Sequence, residues 1–410
     1  MSILFREARL ANGLTIIGEV LPAAHSAAAG FFVKTGARDE ATPLMGVSHF
    51  LEHMMFKGTE RRTAELLNRQ FDEIGARNNA YTSAEMTCFH ASVLPERLLG
   101  ENGVLDILAD MMRPALREAD FTTEKNVILE EIAMYEDDPF WVLYERLMEE
   151  YYGPHGLSHR VLGTKGSITA LAADQMRRYF FDRYSADNTV LAVAGNVDFD
   201  QVVEQIERQC GTWERTRASR DVTPPLRPGG ALELRDEKVS RAYAMIMTPA
   251  PAMGDDRRYA ASLLAQVLGG PDNSRLHWAL VETGLAEDAS AGYDPRDGIG
   301  DYVVSVACDP ERLDEVMSVV DREIAALGRS LTEDDLEKIR AKLATSVTTG
   351  GERPGGRMQR IGRQWTYLGR YTTLEEELER ITAVRTRDLL DVLEAFPFTP
   401  RTTGRMLPAE

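Results

Sequence analysis

Cysteine is scarce: 410 residues hold only Cys88, Cys210 and Cys308. No two of them form a CxxC pair, and three widely spaced thiols make neither a disulfide framework nor a thiolate zinc knuckle. Such usage implies a reducing compartment. Basic residues are outnumbered as well, 47 Lys and Arg against 65 Asp and Glu, for a net charge of −18. Nucleic-acid backbones and anionic membranes both attract clustered cations, so neither is an expected partner, whereas basic or peptide substrates are admitted. No run of 18 apolar residues exists, and the opening "MSILFREARLANGLTII" has no basic start followed by a long apolar stretch. The expectation is a cytoplasmic protein with no membrane contact. Phosphate loops are missing too: "GTKGS" at 163–167 and "GGERPGG" at 350–356 lack the spacing that ends in GK[ST] and read as turns.

What remains is an ordinary globular composition, 43% hydrophobic and 27% charged. The length exceeds what one compact core usually accommodates. Strand-like runs ("GLTIIGEVLP", "SAAAGFFVKTGAR", "NNAYTSAEMTCFHASVL", "ADNTVLAVAGNVD") alternate with helical ones ("TAELLNRQFDEIG", "GENGVLDILADMMRPAL"). A long helical stretch, "DFTTEKNVILEEIAMYEDDPFWVLYERLMEEYYG", contains Pro139, where a break is expected. Residues 214–230 are polar, aperiodic and rich in Pro and Gly, as a linker is. The predicted organisation is α+β, with domains at 1–213 and 231–410 joined by that linker. Each is an antiparallel sheet with packed helices.

The informative stretch is "SHFLEHMMFKGT". On a helix, His49 and His53 stand one turn apart on one face, where two imidazoles can reach one metal. Zinc takes imidazole nitrogens and carboxylate oxygens, and a catalytic site leaves a position open. Glu52 lies beside the pair, placed to take a proton from water attacking a carbonyl. Two histidines and a glutamate are also costly to bury in an otherwise apolar helix. His25, His90, His155, His159 and His277 are isolated and read as structural or surface residues. Cys88 alternates with apolar strand residues and reads as a small buried side chain.

HxxEH is the inverse of the HExxH zinc-protease motif. "GVSHFLEHMMFKGT" resembles the signature of the pitrilysin-type inverzincins, the group that includes the mitochondrial processing peptidase and its bacterial relatives. "NNAYTSAEMTCFHASVLPERL" is similar to the edge-strand segment of that family's catalytic domain. "TTEKNVILEEIAMYEDDP" is similar to the helix with its third zinc ligand. Further similar segments, such as "YSADNTVLAVAGNVD" and "GRMQRIGRQWTYLGRY", extend the resemblance over nearly the whole chain.

The resemblance implies that domain 1–213 is catalytic. Zn2+ would be held by His49, His53 and Glu131, with Glu52 as general base. In the family the ligand-bearing helix is marked by two glutamates seven apart; Glu124 and Glu131 match, and Glu124 is expected to orient a histidine. Neighbouring helical residues point ~100° apart, so Glu131, sharing a face with Glu124, Val127 and Ile128, is expected inward and Glu130 outward. The strand backbone at Asn79, Ala80, Tyr81 and Thr82 is expected to pair with an extended peptide substrate. Pitrilysin-type chambers need four domains, so a homodimer, or a heterodimer with a related subunit, is implied. The function implied is zinc metalloendopeptidase cleavage of unfolded or oligomeric peptides. The alternative is a weakly active or inactive zinc-bearing subunit that binds peptide or completes a partner's chamber. One departure favours the alternative: the family's substrate-reaching Arg and Tyr are matched here by Val281 and Glu287, with Tyr293 as a substitute.

Overall fold

The computed structural model of the protein describes residues 3–409. Its helices begin with α1 (Val47–Met55), α2 (Ala64–Glu73), α3 (Val104–Met111), α4 (Glu118–Glu136) and α5 (Pro139–Tyr152). Next come α6 (Lys165–Ala170), α7 (Ala173–Arg183), α8 (Phe199–Cys210), α9 (Arg258–Gly269) and α10 (Leu313–Ser330). The last are α11 (Glu333–Gly350), α12 (Pro354–Leu368), α13 (Leu374–Thr382) and α14 (Thr386–Ala395). The break at Pro139 is a helix start: Asp138 accepts hydrogen bonds from the backbone N–H of Phe140 and Trp141, and Pro139 occupies the first turn, where its missing N–H costs nothing.

The chain forms two compact units, and neither is one continuous half. The first joins Met1–Ile132 and His159–Asp221 to Thr349–Thr372; the second joins Ala133–Ser158 and Val222–Thr348 to Thr373–Glu410. The expected division into 1–213 and 231–410 therefore needs correction. Helix α5 belongs to the second unit and α12 to the first. The reason is burial: each sheet has two apolar faces, and the near half of the chain covers only one.

The first unit holds strands β1 (Leu4–Arg9), β2 (Thr15–Val20), β3 (Ala27–Val33), β4 (Arg77–Thr82), β5 (Thr87–Val93) and β6 (Thr189–Gly195). Their spatial order is β1-β2-β6-β3-β5-β4, antiparallel except for the parallel β2–β6 pair. Alternate β3 residues serve two cores. Ala27, Ala29, Phe31 and Val33 pack with residues of α1, α3, α4, α7 and α8. Ala28 and Phe32 pack with Met358 and Ile361 of α12. This double coverage explains why "AAAGFFV" is apolar throughout rather than alternating. The approach of α12 is close enough to require Gly362, where a Cβ would lie 2.1 Å from the Phe32 ring. A buried carboxylate also ties α12 down. Glu19 on β2 accepts from Arg357 Nη1 at 2.9 Å and from the Tyr371 hydroxyl at 2.8 Å, and pairs with Arg360.

The second unit holds β7 (Gly230–Asp236), β8 (Ala242–Ala250), β9 (Asp288–Pro295), β10 (Gly300–Cys308) and β11 (Thr402–Pro408), ordered β7-β11-β8-β10-β9 with β7 and β11 parallel. Residues of α9, α10, α11, α13 and α14 complete its core. Asp301 on β10 repeats the device: its carboxylate accepts from the Tyr151 hydroxyl and Arg227 Nη1, both at 2.8 Å, and from the Tyr152 hydroxyl. Tyr151 and Tyr152 are the last residues of α5. No helix among the described residues is long and apolar enough to cross a membrane.

Candidate metal centre

Helix α1 starts in a fixed place. Gly46 precedes it at φ 94°, and a Cβ there would meet Leu162 O at 2.6 Å. The first turn has no capping side chain of its own; instead buried Glu40 accepts from the backbone N–H of Gly46 and Ser48, each at 2.7 Å. That satisfies donors left open by the helix start. Burial pushes the Glu40 carboxyl up to about 8, against the opposing effect of those two N–H groups. Ser48 Oγ and Tyr179 Oη are 2.8 Å apart, and Tyr179 Oη and Thr35 Oγ1 2.9 Å, extending the buried network.

Val47, Phe50, Leu51, Met54 and Met55 of α1 enter the core. His49 and His53 emerge on another side, ring centroids 4.7 Å apart. Helix α4 brings Glu131 to them: its carboxylate lies 3.8 Å from His49 Nε2 and 3.5 Å from His53 Nε2. These separations are too long for hydrogen bonds. They suit a shared ion, because two ligands at 2.0–2.2 Å from a tetrahedral zinc stand about 3.3–3.6 Å apart. Among the described residues, His49, His53 and Glu131 are the one group of three or more His, Cys, Asp and Glu arranged to hold a metal, their ligand atoms within 4.8 Å of one another. Burial, helped by the nearby His53, lowers the His49 imidazole to about 3. It is therefore neutral at physiological pH, as a ligand must be.

Glu124 is buried 2.9 Å from His53 Nδ1. A carboxylate there selects the tautomer with the proton on Nδ1 and leaves the Nε2 lone pair facing Glu131. Lys57 closes the array, its ammonium 2.5 Å from the other Glu124 oxygen. Glu130 is exposed on another face of α4. Ile128 is buried as expected, but Val127 is not: it is 43% exposed, because the face carrying Glu131 borders the open side of the site and only the Ile128 flank turns to the core.

Glu52 is not among the three converging residues. Its carboxylate accepts from Thr82 Oγ1 at 2.6 Å. Burial raises the Glu52 carboxyl above the usual range, and the Thr82 hydroxyl partly offsets that rise. Thr82 ends β4, an edge strand bonded only to β5. Strand alternation sends Tyr81 to the opposite face, where its hydroxyl donates to Gln359 of α12 at 3.1 Å. Ala80 packs partly buried against the main core, while Asn79 is exposed.

The remaining sequence candidates lie elsewhere. His159 Nδ1 is 3.0 Å from Ala37 O, and His277 Nε2 is 3.2 Å from Glu282. Cys88 is fully buried. In the second unit Val281 closes a short helix, Glu287 pairs with Arg241, and the Tyr293 hydroxyl donates to Pro251 O at 2.7 Å. "GTKGS" holds the N-cap of α6, with Thr164 Oγ1 accepting from Ser167 N. Glu40, Lys57 and Thr82 were not assigned these supporting contacts by sequence reasoning. Lys57 carried a signal, lying four residues beyond His53 and two past the end of α1; Glu40 carried none.

The fold is shared with solved peptidase structures. A protease from Helicobacter pylori superposes with a TM-score of 0.90 at 19% identity, covering 99% of this chain and 100% of that one. A Pseudomonas fluorescens structure described as a peptidase M16 inactive domain gives 0.92 at 17% identity over 99% and 98%. Residues 15–165 match the family "Insulinase (Peptidase family M16)" and 170–343 match "Peptidase M16 inactive domain". The chain is 34% identical over 400 residues to an uncharacterized zinc protease of Streptomyces coelicolor, covering 94% of this chain and 85% of that protein. It is 32% identical to the uncharacterized zinc protease YmxG of Bacillus subtilis, covering 91% of each. The chain belongs to peptidase family M16.

Proposed function

We propose that the protein is a zinc-dependent endopeptidase acting on extended peptides. The observation that carries this reading is the convergence of two imidazoles and one carboxylate, with a separate half-buried carboxylate, Glu52, beside them. His49, His53 and Glu131 hold the ion. Zinc, when bound, supplies a Lewis acid for the peptide carbonyl and makes water more acidic. Glu52 takes the proton from the attacking water and delivers it to the departing amine. Its raised proton affinity suits that transfer, and the Thr82 hydroxyl holds the carboxylate in position. Glu124 keeps His53 in the ligating tautomer, and Lys57 neutralises Glu124. The free edge of β4, at Asn79 to Thr82, takes the substrate backbone by strand addition, and the side chains between edge and metal helix sense the residues near the cut.

The substrate is unfolded or oligomeric peptide, and two chains, identical or related, enclose it. The competing role, a zinc-bearing subunit with little activity of its own, is supported by Val281 and Glu287 at the positions of the family's Arg and Tyr. One experiment separates the two: zinc content and cleavage of an unstructured peptide, measured together on the purified chain. Stoichiometric zinc with cleavage that a chelator stops and zinc restores supports the endopeptidase. Full zinc with no cleavage selects the subunit role, and no zinc retention sinks both.

A further inference from the structure

The first unit contains a second cleft that shares no residue with the metal centre. It lies among α3, α7, α8 and the segment following α8, with a volume of about 570 Å³, within the range of small-molecule sites. Its wall is aromatic: Phe180, Tyr184 and Trp213, with Phe181 65% exposed at the rim. Its charge is unusual for so acidic a chain, because Arg61, Arg113 and Arg208 all line it.

Arg113 is the telling residue. Its guanidinium lies 3.6 Å from the centroid of the Trp213 ring and 5.7 Å from that of Phe180. Its one hydrogen bond is Nη1 to the Met112 carbonyl at 2.6 Å, and it forms no ion pair among the described residues. Burial lowers its proton affinity to about 10, with Cys210 and Glu214 opposing. A desolvated guanidinium is ordinarily paired with a carboxylate, and this one has ring faces instead. Arg208 is exposed and also without an ion pair among the described residues. Of the two acids in the lining, Asp110 is committed to Arg62 at 2.8 Å and Arg61 at 3.8 Å, which leaves Glu214 alone against two cations. Gln209 adds a buried Oε1 with no donor.

We propose that this cleft binds a small organic anion carrying a flat apolar group, a carboxylate or a phosphate monoester, with the anion on Arg113 and Arg208 and the flat group against Phe181. A guanidinium stacked on an indole presents its N–H edge to a bidentate oxyanion.

Titration of the full-length protein with phenyl phosphate, phenylacetate and inorganic phosphate, followed by calorimetry, tests this. Saturable binding of either aromatic anion is expected, inorganic phosphate binding about tenfold more weakly for want of the apolar group. Binding of phenyl phosphate alone identifies a phosphate ester as the ligand class; binding of phenylacetate alone identifies a carboxylate. Arg208→Ala is expected to weaken binding about tenfold and Phe181→Ala several-fold, while Glu214→Gln tightens it. These exposed positions keep the fold, which circular dichroism and unchanged zinc content verify. No saturation by either aromatic anion at millimolar concentration overturns the proposal. So does inorganic phosphate binding as well as phenyl phosphate, or wild-type affinity in both the Arg208 and Phe181 variants.

Discussion

The two units solve one packing problem in the same way and then part. Each has a sheet with two apolar faces. Each covers the second face with a helix from the other half of the chain, α12 in the first and α5 in the second. Each fastens that helix with a carboxylate buried on a strand, Glu19 or Asp301. Only the first unit, among the described residues, assembles a metal-ligating group. The second has two histidines, His155 and His277, the latter paired with Glu282 where a short helix ends at Val281. The architecture is therefore a scaffold, and the chemistry comes from what is hung on it. In the first unit the additions are α1, placed by Glu40, and α4, which brings Glu124 and Glu131.

The sharpest way to test that division is to remove chemistry without touching the scaffold. Glu52→Gln is expected to lower peptide hydrolysis by ~10²–10⁴-fold or more, with zinc content and thermal midpoint unchanged. Near-normal turnover at full zinc occupancy would remove Glu52 from its role. Glu131→Gln is expected to lose zinc on dialysis, because two histidines leave a tetrahedral site short of a protein ligand. Glu130→Gln keeps its zinc and most activity. The reverse pattern would move the ligand by one residue.

The shared device can be broken in either unit. Glu19→Ala removes the carboxylate that pairs with buried Arg357 and half-buried Arg360, and Asp301→Ala removes the one that pairs with Arg227, while Arg296 keeps Asp294. Each is expected to destabilise its unit by ~3–5 kcal/mol, read as a shift of one unfolding transition. Wild-type resistance to urea in both variants would mean the carboxylates fasten nothing.

Acid should also distinguish the units when metal is absent. His49 has a folded-state value near 3, below its ordinary value of 6.5. Its neutral burial therefore contributes stability in full above pH 6.5, and that contribution is lost as pH falls toward 3, at up to about 1.4 kcal/mol per pH unit. Urea midpoints of the metal-free protein, with and without His49→Gln, check this: the variant should show the shallower pH dependence. The smallest effect is expected at His277→Ala, within about 0.5 kcal/mol and without change in zinc content. Loss of zinc there would give the second unit a part in the metal site.

Much of this was legible beforehand, and the reasons differ by residue. The α+β class and the break at Pro139 are local: periodicity and a proline carry them. His49, Glu52 and His53 are legible because one helical turn brings them together. The choice of Glu131 over Glu130 rested on an α-helical register the structure does contain, though Val127 proved exposed because that face borders open space. What was not legible is long-range. Nothing in "GARDEAT" announces that Glu40 will cap α1 from outside it. Domain boundaries drawn at 213 and 231 fail for the same reason, since a helix's destination depends on which sheet face lacks cover and not on its neighbours in sequence.

The exchanged helix α12 also sets an order of birth. During synthesis the strands of the first unit are complete by Gly195, yet the helix that covers their second face ends at Leu368. At 5–20 residues per second the ribosome needs on the order of ten seconds or more to make the intervening chain. Through that interval Ile17, Phe32 and Met86 have no Met358 or Ile361 to pack against. The nascent first half thus keeps that apolar face uncovered until the second half is nearly finished. Stalled chains ending before 349 should stay protease-sensitive, and chains extended past 372 by enough residues to clear the exit tunnel should become resistant.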